Sequence, residues 1–85
     1  MQNWYVYIAE ARTKKFYTGI SNDPDKRLID HNSGLGSKFA IEQGPLKLIY
    51  ISLPYKNKSE ARIREIQIKK WSREKKLKLI NGIWK

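Results

Sequence analysis

The chain has 85 residues, of which 40% are apolar and 12% aromatic, and its 18 Lys and Arg residues against 8 Asp and Glu give a net charge of +10. That length predicts a single domain over residues 1–85 with a modest core. Because the chain has no cysteine and one histidine, disulfides, thiol nucleophiles and thiolate zinc sites are excluded, and a metal site would need hard oxygen ligands.

The first predicted element is a β-hairpin. Residues 3–8 and 15–20 are rich in aromatic and β-branched side chains, and the segment between them is polar. A turn centred near Arg12 would place Tyr7 opposite Tyr17. Alternation then predicts one face with Tyr5, Tyr7, Tyr17 and Gly19, and a second, apolar face with Trp4, Val6, Ile8, Phe16 and Ile20.

A short helix and a third strand follow the hairpin. Asp23 can cap a helix and Pro24 suits its first turn, which predicts a helix over about 24–33. After a glycine-rich segment and a turn at 43–45, residues 46–53 are predicted to form a strand. Its apolar run from 48 to 51 indicates a central position in the sheet.

Two further helices complete the predicted order of strand, strand, helix, strand, helix, helix. Ser59 is predicted to cap a helix that ends near Lys70, and Ser72 is predicted to cap a helix over 73–80 that ends at Asn81 and Gly82. This order predicts the α/β (α+β) class.

Glu65 is the most informative acidic residue. It shares a helix face with Ala61 and Ile68, and a carboxylate near an apolar face needs a cation, hydrogen-bond donors or a metal ion. The alternative is an ordinary i,i+4 salt bridge with Lys69, worth only ~0.3–0.5 kcal/mol. The opposite side of this helix is also apolar, which predicts that structure packs against it through Ile63 and Ile66.

Arg27 and His31 stand four residues apart on the first helix and should project side by side, where both could contact a phosphate. The alternative is a solvated helix face with Asp23 or Asp30 as a partner. The tyrosines are most often half-buried sheet residues, because a phenol becomes a useful base only where cations lower its pKa.

The excess positive charge predicts a polyanionic partner, and nucleic acids are the commonest inside cells. The predicted binding residues are one lysine of the glycine-rich segment and a cluster near the C-terminus: Lys38, Lys69, Lys70, Arg73, Lys75 and Lys76. The alternative for the cluster is the solvated face of an amphipathic helix. The chain shows neither a membrane span nor a signal peptide, so we expect a soluble, cytoplasmic protein.

Four motifs in this order and spacing resemble the GIY-YIG nuclease superfamily, and most closely its small stand-alone prokaryotic members: Tyr5-Val6-Tyr7, Tyr17-Thr18-Gly19, Arg27 and Glu65. The resemblance covers the whole chain. It implies a three-stranded antiparallel sheet flanked by helices, and hydrolysis of phosphodiester bonds in DNA that depends on Mg²⁺ or Mn²⁺, with a role in DNA repair or recombination.

The resemblance also implies roles for individual residues. Glu65 would bind the divalent cation, and Arg27 would stabilise negative charge on the reacting phosphate. One of Tyr7 and Tyr17 would activate the attacking water, with Tyr7 favoured as the base, and His31 would support them.

Three positions depart from the family pattern. Tyr5 replaces the first glycine and Thr18 the second isoleucine, as is usual in the small subgroup, while Ile20 stands where several relatives have a lysine. The missing lysine leaves open what lowers the pKa of the tyrosine.

The leading hypothesis is therefore a DNA endonuclease. One alternative is a non-catalytic DNA- or RNA-binding module with the same fold. Another is a ribosome-associated or other RNA-binding structural protein, which would leave the tyrosine, arginine and glutamate set unexplained. The sequence leaves the oligomeric state open between a monomer and a weak dimer.

Overall fold

The computed structural model describes residues 3–32 and 45–82, which form three strands and three helices. In chain order they are β1 (Tyr5–Glu10), β2 (Phe16–Ser21), α1 (Pro24–Asp30), β3 (Lys47–Ile51), α2 (Lys58–Lys69) and α3 (Arg73–Ile80). The predicted element order, the α+β class and the three-stranded antiparallel sheet are confirmed. Lys38 and most of the predicted turn at 43–45 lie outside the described residues. Within the described ranges, no helix is both long and apolar enough to cross a membrane.

The turn between β1 and β2 has three residues, Arg12 to Lys14. The Ala11 carbonyl accepts a hydrogen bond from the Lys14 N–H at 2.9 Å, and the Ala11 N–H donates to the Lys15 carbonyl at 2.8 Å. Lys14 has a φ of 73°, the left-handed conformation that closes a three-residue hairpin turn. The turn therefore centres on Thr13, one residue later than predicted.

This turn changes the predicted hairpin register. Tyr7 pairs with Gly19, and Tyr17 pairs with Ala9, so the prediction that the two tyrosines lie directly opposite each other was wrong. The register differs from the predicted one by two residues. Because side chains alternate with a period of two, both tyrosines still point to the same face, as predicted.

The strand order is β2-β1-β3, so the central strand is β1. The prediction that the third strand lies in the middle of the sheet was wrong, because β3 pairs only with β1 in the described part of the chain. Its apolar run has another cause. The pairing of β3 with β1 is irregular between Leu48 and Tyr50, so Leu48 packs on one side of the sheet and Tyr50 on the other. This edge strand is therefore covered on both faces.

The helices cover both faces of the sheet. On the face of the two tyrosines, Leu28 of α1 packs near Ala9. On the other face, α2 and α3 pack against β1 through a buried cluster of Val6, Ile8, Ala61, Ile68 and Leu79. Burial of these apolar side chains is the main stabilising contribution to such a small core.

The helix caps follow local chemistry, with one exception. Asp23 caps α1 and Ser72 caps α3, as predicted. Ser59 does not cap α2. Asn57 takes that position with extended backbone, and its Oδ1 accepts a hydrogen bond from the Glu60 N–H at 2.9 Å.

Two other predictions need correction. The first helix ends at Asp30 and is followed by one wider π-helical turn at residues 31–32, so it is shorter than predicted. The second apolar side of α2 is largely exposed, since Ile63 and Ile66 are 60% and 46% exposed, so the prediction that it is packed against other structure was wrong for the described residues.

Asn32 fixes the end of α1 to the start of β3. Its Nδ2 donates to the Leu46 carbonyl at 2.9 Å, and its Oδ1 accepts from the Leu46 N–H at 2.7 Å. We expect Asn32→Ala to lower the free energy of unfolding by about 1–2 kcal/mol, because two backbone groups lose their partners. Urea denaturation measures the change, and Asn3→Ala at an exposed position should leave stability unchanged. Equal effects of the two substitutions would contradict the role of Asn32.

Candidate active site

A concavity of about 470 Å³ lies at the open edge of β2. Its lining comes from both faces of the sheet, with the tyrosines and α1 on one side and α2 on the other. The lining residues include four of the predicted site residues, Tyr7, Tyr17, Arg27 and Glu65. The structure therefore brings these four together around one exposed cavity.

Tyr7 reaches this edge by crossing over Gly19, its partner on β2. The Tyr7 side chain is almost fully buried, and a Cβ atom placed on Gly19 would lie 2.7 Å from Tyr7 Oη and 2.8 Å from Cζ. Only glycine permits such a close approach of the ring. The absence of a side chain at position 19 thus allows the Tyr7 hydroxyl to reach the cavity.

Arg27, on α1, lies close enough to the Tyr7 hydroxyl for its positive charge to lower the pKa of that phenol. Burial and the neighbouring Tyr17 nevertheless raise the pKa of Tyr7 to about 12, and Arg27 only partly opposes this shift. Tyr7 is therefore a neutral phenol at pH 7 in the free protein.

Tyr17 is held between Tyr7 and His31. Its ring centroid lies 6.3 Å from that of Tyr7 and 5.4 Å from that of His31, which meets it edge-on. His31 is 1% exposed and does not line the cavity. Arg27 therefore lines the cavity, whereas His31 packs behind Tyr17, where it can hold the tyrosine ring.

The buried position of His31 should make the stability of the protein depend on pH. Burial and the nearby Arg27 lower its pKa below the ordinary 6.5, although Asp30 partly opposes them. The unfolded chain therefore binds a proton more readily than the folded one, so the free energy of unfolding should fall as the pH drops below about 6.5. Urea denaturation between pH 8 and 5.5 measures this loss. His31→Gln should show a smaller loss over that range, and equal losses in both proteins would contradict the interpretation.

Glu65 lies on the face of α2 that it shares with Ala61 and Ile68, as predicted, and all three are buried. Its carboxylate also forms the predicted alternative contact, since Lys69 Nζ lies 3.2 Å from Oε2. Arg62 Nε lies 3.7 Å from Oε1. Glu65 is therefore both a cavity wall and an ion-paired helix residue.

The donor set of the cavity suits a hydrated hard cation. Among the described residues, no cluster of three or more His, Asp or Glu side chains could enclose a metal ion. Glu65 offers carboxylate oxygens to an open cavity, which Asp23 and Asp30 also line. Mg²⁺ typically keeps several waters and takes one or two carboxylates together with substrate phosphates. The residues present fit a hydrated hard cation, for which Glu65 would supply a carboxylate ligand.

No member of the predicted C-terminal basic cluster is among the cavity-lining residues, although Lys69 contacts Glu65 at the cavity wall. The Arg73 guanidinium stacks 4.1 Å from the Phe16 ring centroid and donates a hydrogen bond to the Lys14 carbonyl. These contacts place it at the turn end of β2, roughly 17 Å along the strand from Ser21. Lys75 Nζ lies 4.5 Å from the centroid of the Trp71 ring. Burial and the positive charge of Lys69 lower the pKa of Lys76. Nucleic-acid binding by Lys69, Lys70, Arg73, Lys75 and Lys76 stays a prediction.

Three basic residues that the sequence analysis did not select line the cavity: Lys26, Lys58 and Arg62. Two of them had a signal in the sequence. Lys58, Arg62 and Glu65 stand at positions i, i+4 and i+7 of α2 and therefore share one helix face. Lys58 also lies 5.3 Å from the Trp4 ring centroid, a second aromatic wall of the cavity.

Known proteins match this chain over most of its length. A family model described as the GIY-YIG catalytic domain matches residues 3–78. A UPF0213 protein of Clostridium perfringens is 44% identical over 92% of this chain and 83% of its own length. A UPF0213 protein of Staphylococcus saprophyticus is 43% identical over 95% of this chain and 98% of its own length. A UPF0213 protein from Bacillus halodurans, whose structure was solved by NMR in solution, is 38% identical in sequence to this chain. The two structures superpose with a TM-score of 0.58 over 94% of this chain and 84% of the other.

Proposed function

The chain belongs to the GIY-YIG family, and from this membership and the cavity we propose that it is a divalent-metal-dependent endonuclease that hydrolyses phosphodiester bonds in DNA. The family supports a nuclease-like function. The observation that carries the proposal is that Tyr7, Tyr17, Arg27 and Glu65 line one exposed cavity.

Arg27 would bind the reacting phosphate. Its guanidinium carries a permanent positive charge and donates paired hydrogen bonds that match phosphate oxygens. It already lies at the Tyr7 hydroxyl, so a phosphate bound to Arg27 would lie beside both tyrosines. There Arg27 would stabilise the negative charge that develops as the bond to the leaving oxygen breaks.

Glu65 would hold Mg²⁺ or Mn²⁺ against the same phosphate. When bound, the metal supplies Lewis-acid polarisation of the phosphate and stabilises the departing oxygen. Glu65 is buried and rigid on α2, so its carboxylate is oriented before a ligand arrives.

The two tyrosines would bind and deprotonate the attacking water. The raised pKa of Tyr7 makes it a hydrogen-bond donor in the free protein, so its favoured role as the base requires positive charge in the filled cavity to lower that pKa. Tyr17, which is packed against His31, would position the water. If Tyr7 stays protonated, these roles exchange.

Cations at the cavity mouth would hold the DNA strand on either side of the cut. Four basic residues line the cavity against three acidic ones, so its net charge is positive and attracts a phosphate backbone: Lys26, Arg27, Lys58 and Arg62. Binding through these residues should weaken steeply as salt is added.

The proposal is tested by incubating a supercoiled plasmid with the purified protein and Mg²⁺ or Mn²⁺. The wild type should nick or linearise the plasmid, and Arg27→Ala should reduce the rate at least ~100-fold. Arg12→Ala removes the same charge in the hairpin turn and should cleave like the wild type. If wild type and Arg27→Ala leave the plasmid equally intact but still retard it on a gel, the non-catalytic binding module replaces the enzyme.

A further inference from the structure

Both carboxylate oxygens of Glu65 are held by cations. Arg62 Nε contacts Oε1 at 3.7 Å, and Lys69 Nζ contacts Oε2 at 3.2 Å. The Glu65 side chain is 8% exposed, whereas the side chains of Arg62 and Lys69 are 63% and 54% exposed. The carboxylate is therefore fixed, while the two cations can turn away into solvent.

These ion pairs compete with the metal-binding role of Glu65. A divalent cation would need the same oxygens and would be repelled by the two positive charges beside them. Ion pairs whose cations are this exposed are weak and exchangeable. A stronger anionic partner for Arg62 and Lys69 could therefore free the carboxylate.

We propose that Arg62 and Lys69 occupy Glu65 in the DNA-free protein and transfer to DNA phosphates when DNA binds, so that divalent-metal binding at Glu65 depends on DNA. This inference rests on the proposed function. It makes Arg62 and Lys69 positioning residues, because they control access to Glu65 and then contact the backbone.

The surroundings of the two cations favour this transfer. Arg62 lines the cavity in which Arg27 would hold the phosphate, so its guanidinium needs only to turn from the carboxylate towards the bound strand. Lys69 lies close enough to Lys76 for the two charges to interact unfavourably. Contact with a phosphate would relieve that repulsion.

The first test measures Mn²⁺ affinity of the DNA-free protein from the electron paramagnetic resonance signal of unbound Mn²⁺. Lys69→Met removes one ion pair and should raise the affinity about fivefold. Lys70→Met removes the same charge from the next residue and so controls for the change in net charge. It should raise the Mn²⁺ affinity less than Lys69→Met does. The double variant Lys69→Met, Glu65→Gln should lose the gain. Circular dichroism checks that each variant is folded.

The second test measures binding of a short labelled duplex by fluorescence anisotropy, with Ca²⁺ or with a chelator. Coupling is reciprocal, so Ca²⁺ should tighten DNA binding by wild type by the factor by which DNA tightens metal binding. Lys69→Met should reduce this factor, and Glu65→Gln should abolish it.

The proposal is overturned if Lys69→Met and Lys70→Met bind Mn²⁺ equally, or if Ca²⁺ leaves DNA affinity unchanged. Plasmid cleavage by the wild type separates this result from a failure of the proposed function. If the wild type cleaves DNA but the two lysine variants bind Mn²⁺ equally, the proposed function stands and the proposed control of metal binding by the ion pairs is wrong. A wild type that does not cleave overturns both.

Discussion

Gly19→Ala is expected to abolish DNA cleavage and to lower the free energy of unfolding by about 1–3 kcal/mol. The new Cβ would lie 2.7 Å from Tyr7 Oη and 2.8 Å from Cζ, closer than a Cβ atom approaches any non-bonded heavy atom, so the Tyr7 ring or the strand would have to shift. The Tyr7 ring is buried, so it cannot move without disturbing its neighbours or changing the position of its hydroxyl beside Arg27. Urea denaturation and plasmid cleavage measure the two effects.

A double-mutant cycle isolates the close approach as the cause. In a Tyr7→Leu background the aromatic ring is absent, so adding Gly19→Ala should cost clearly less stability than it does in the wild type. If alanine at position 19 costs the same in both backgrounds, the effect comes from the β2 backbone and the contact with the ring is not its cause.

Local chemistry made much of the fold predictable. Asp23, Pro24 and Ser72 have side chains with clear preferences for helix starts, and the structure uses all three. The shared face of Tyr7 and Tyr17 was predicted correctly although the register was wrong, because a shift of two residues preserves the alternation of a strand.

The errors arose where local preference does not decide. A lysine adopts the left-handed turn position that glycine or asparagine usually takes, so the turn at Lys14 carried no recognisable signal. The apolar run of β3 suits a central strand and an edge strand with helices on both faces equally well. Asn57 and Ser59 are both good caps, and spacing alone does not choose between them.

The candidate site shows the same division. The face of Glu65 on α2 followed from helix periodicity, but its meeting with Tyr7 did not, because the two residues come from elements on opposite faces of the sheet. They meet at the open edge of β2, beside the glycine. The positions of Lys58 and Arg62 followed from the same helix face. Charge density alone directed attention to residues 69–76, of which Arg73 packs at the other end of the hairpin.

Glu65→Gln is expected to reduce cleavage at least ~100-fold while leaving the fold intact. The amide keeps the size of the side chain but loses the charge that would hold the divalent cation. Stabilisation of the reacting phosphate by such a cation is worth several kcal/mol. Because each factor of ten in rate corresponds to about 1.4 kcal/mol, losing it should slow cleavage at least ~100-fold. Because Arg62 and Lys69 are exposed enough to be solvated without Glu65, the free energy of unfolding should change by less than about 1 kcal/mol. Plasmid cleavage and urea denaturation measure the two quantities.

Glu60→Gln provides the matched control. It makes the same chemical change in the first turn of the same helix, at an exposed position outside the cavity lining, and should cleave like the wild type. A further comparison separates metal binding from general loss of charge. If Glu65 holds the metal, raising the Mn²⁺ concentration should restore part of the activity of Glu65→Asp, which keeps the carboxylate, but not that of Glu65→Gln. Wild-type rates in Glu65→Gln would show that the metal is held elsewhere or that cleavage does not require it.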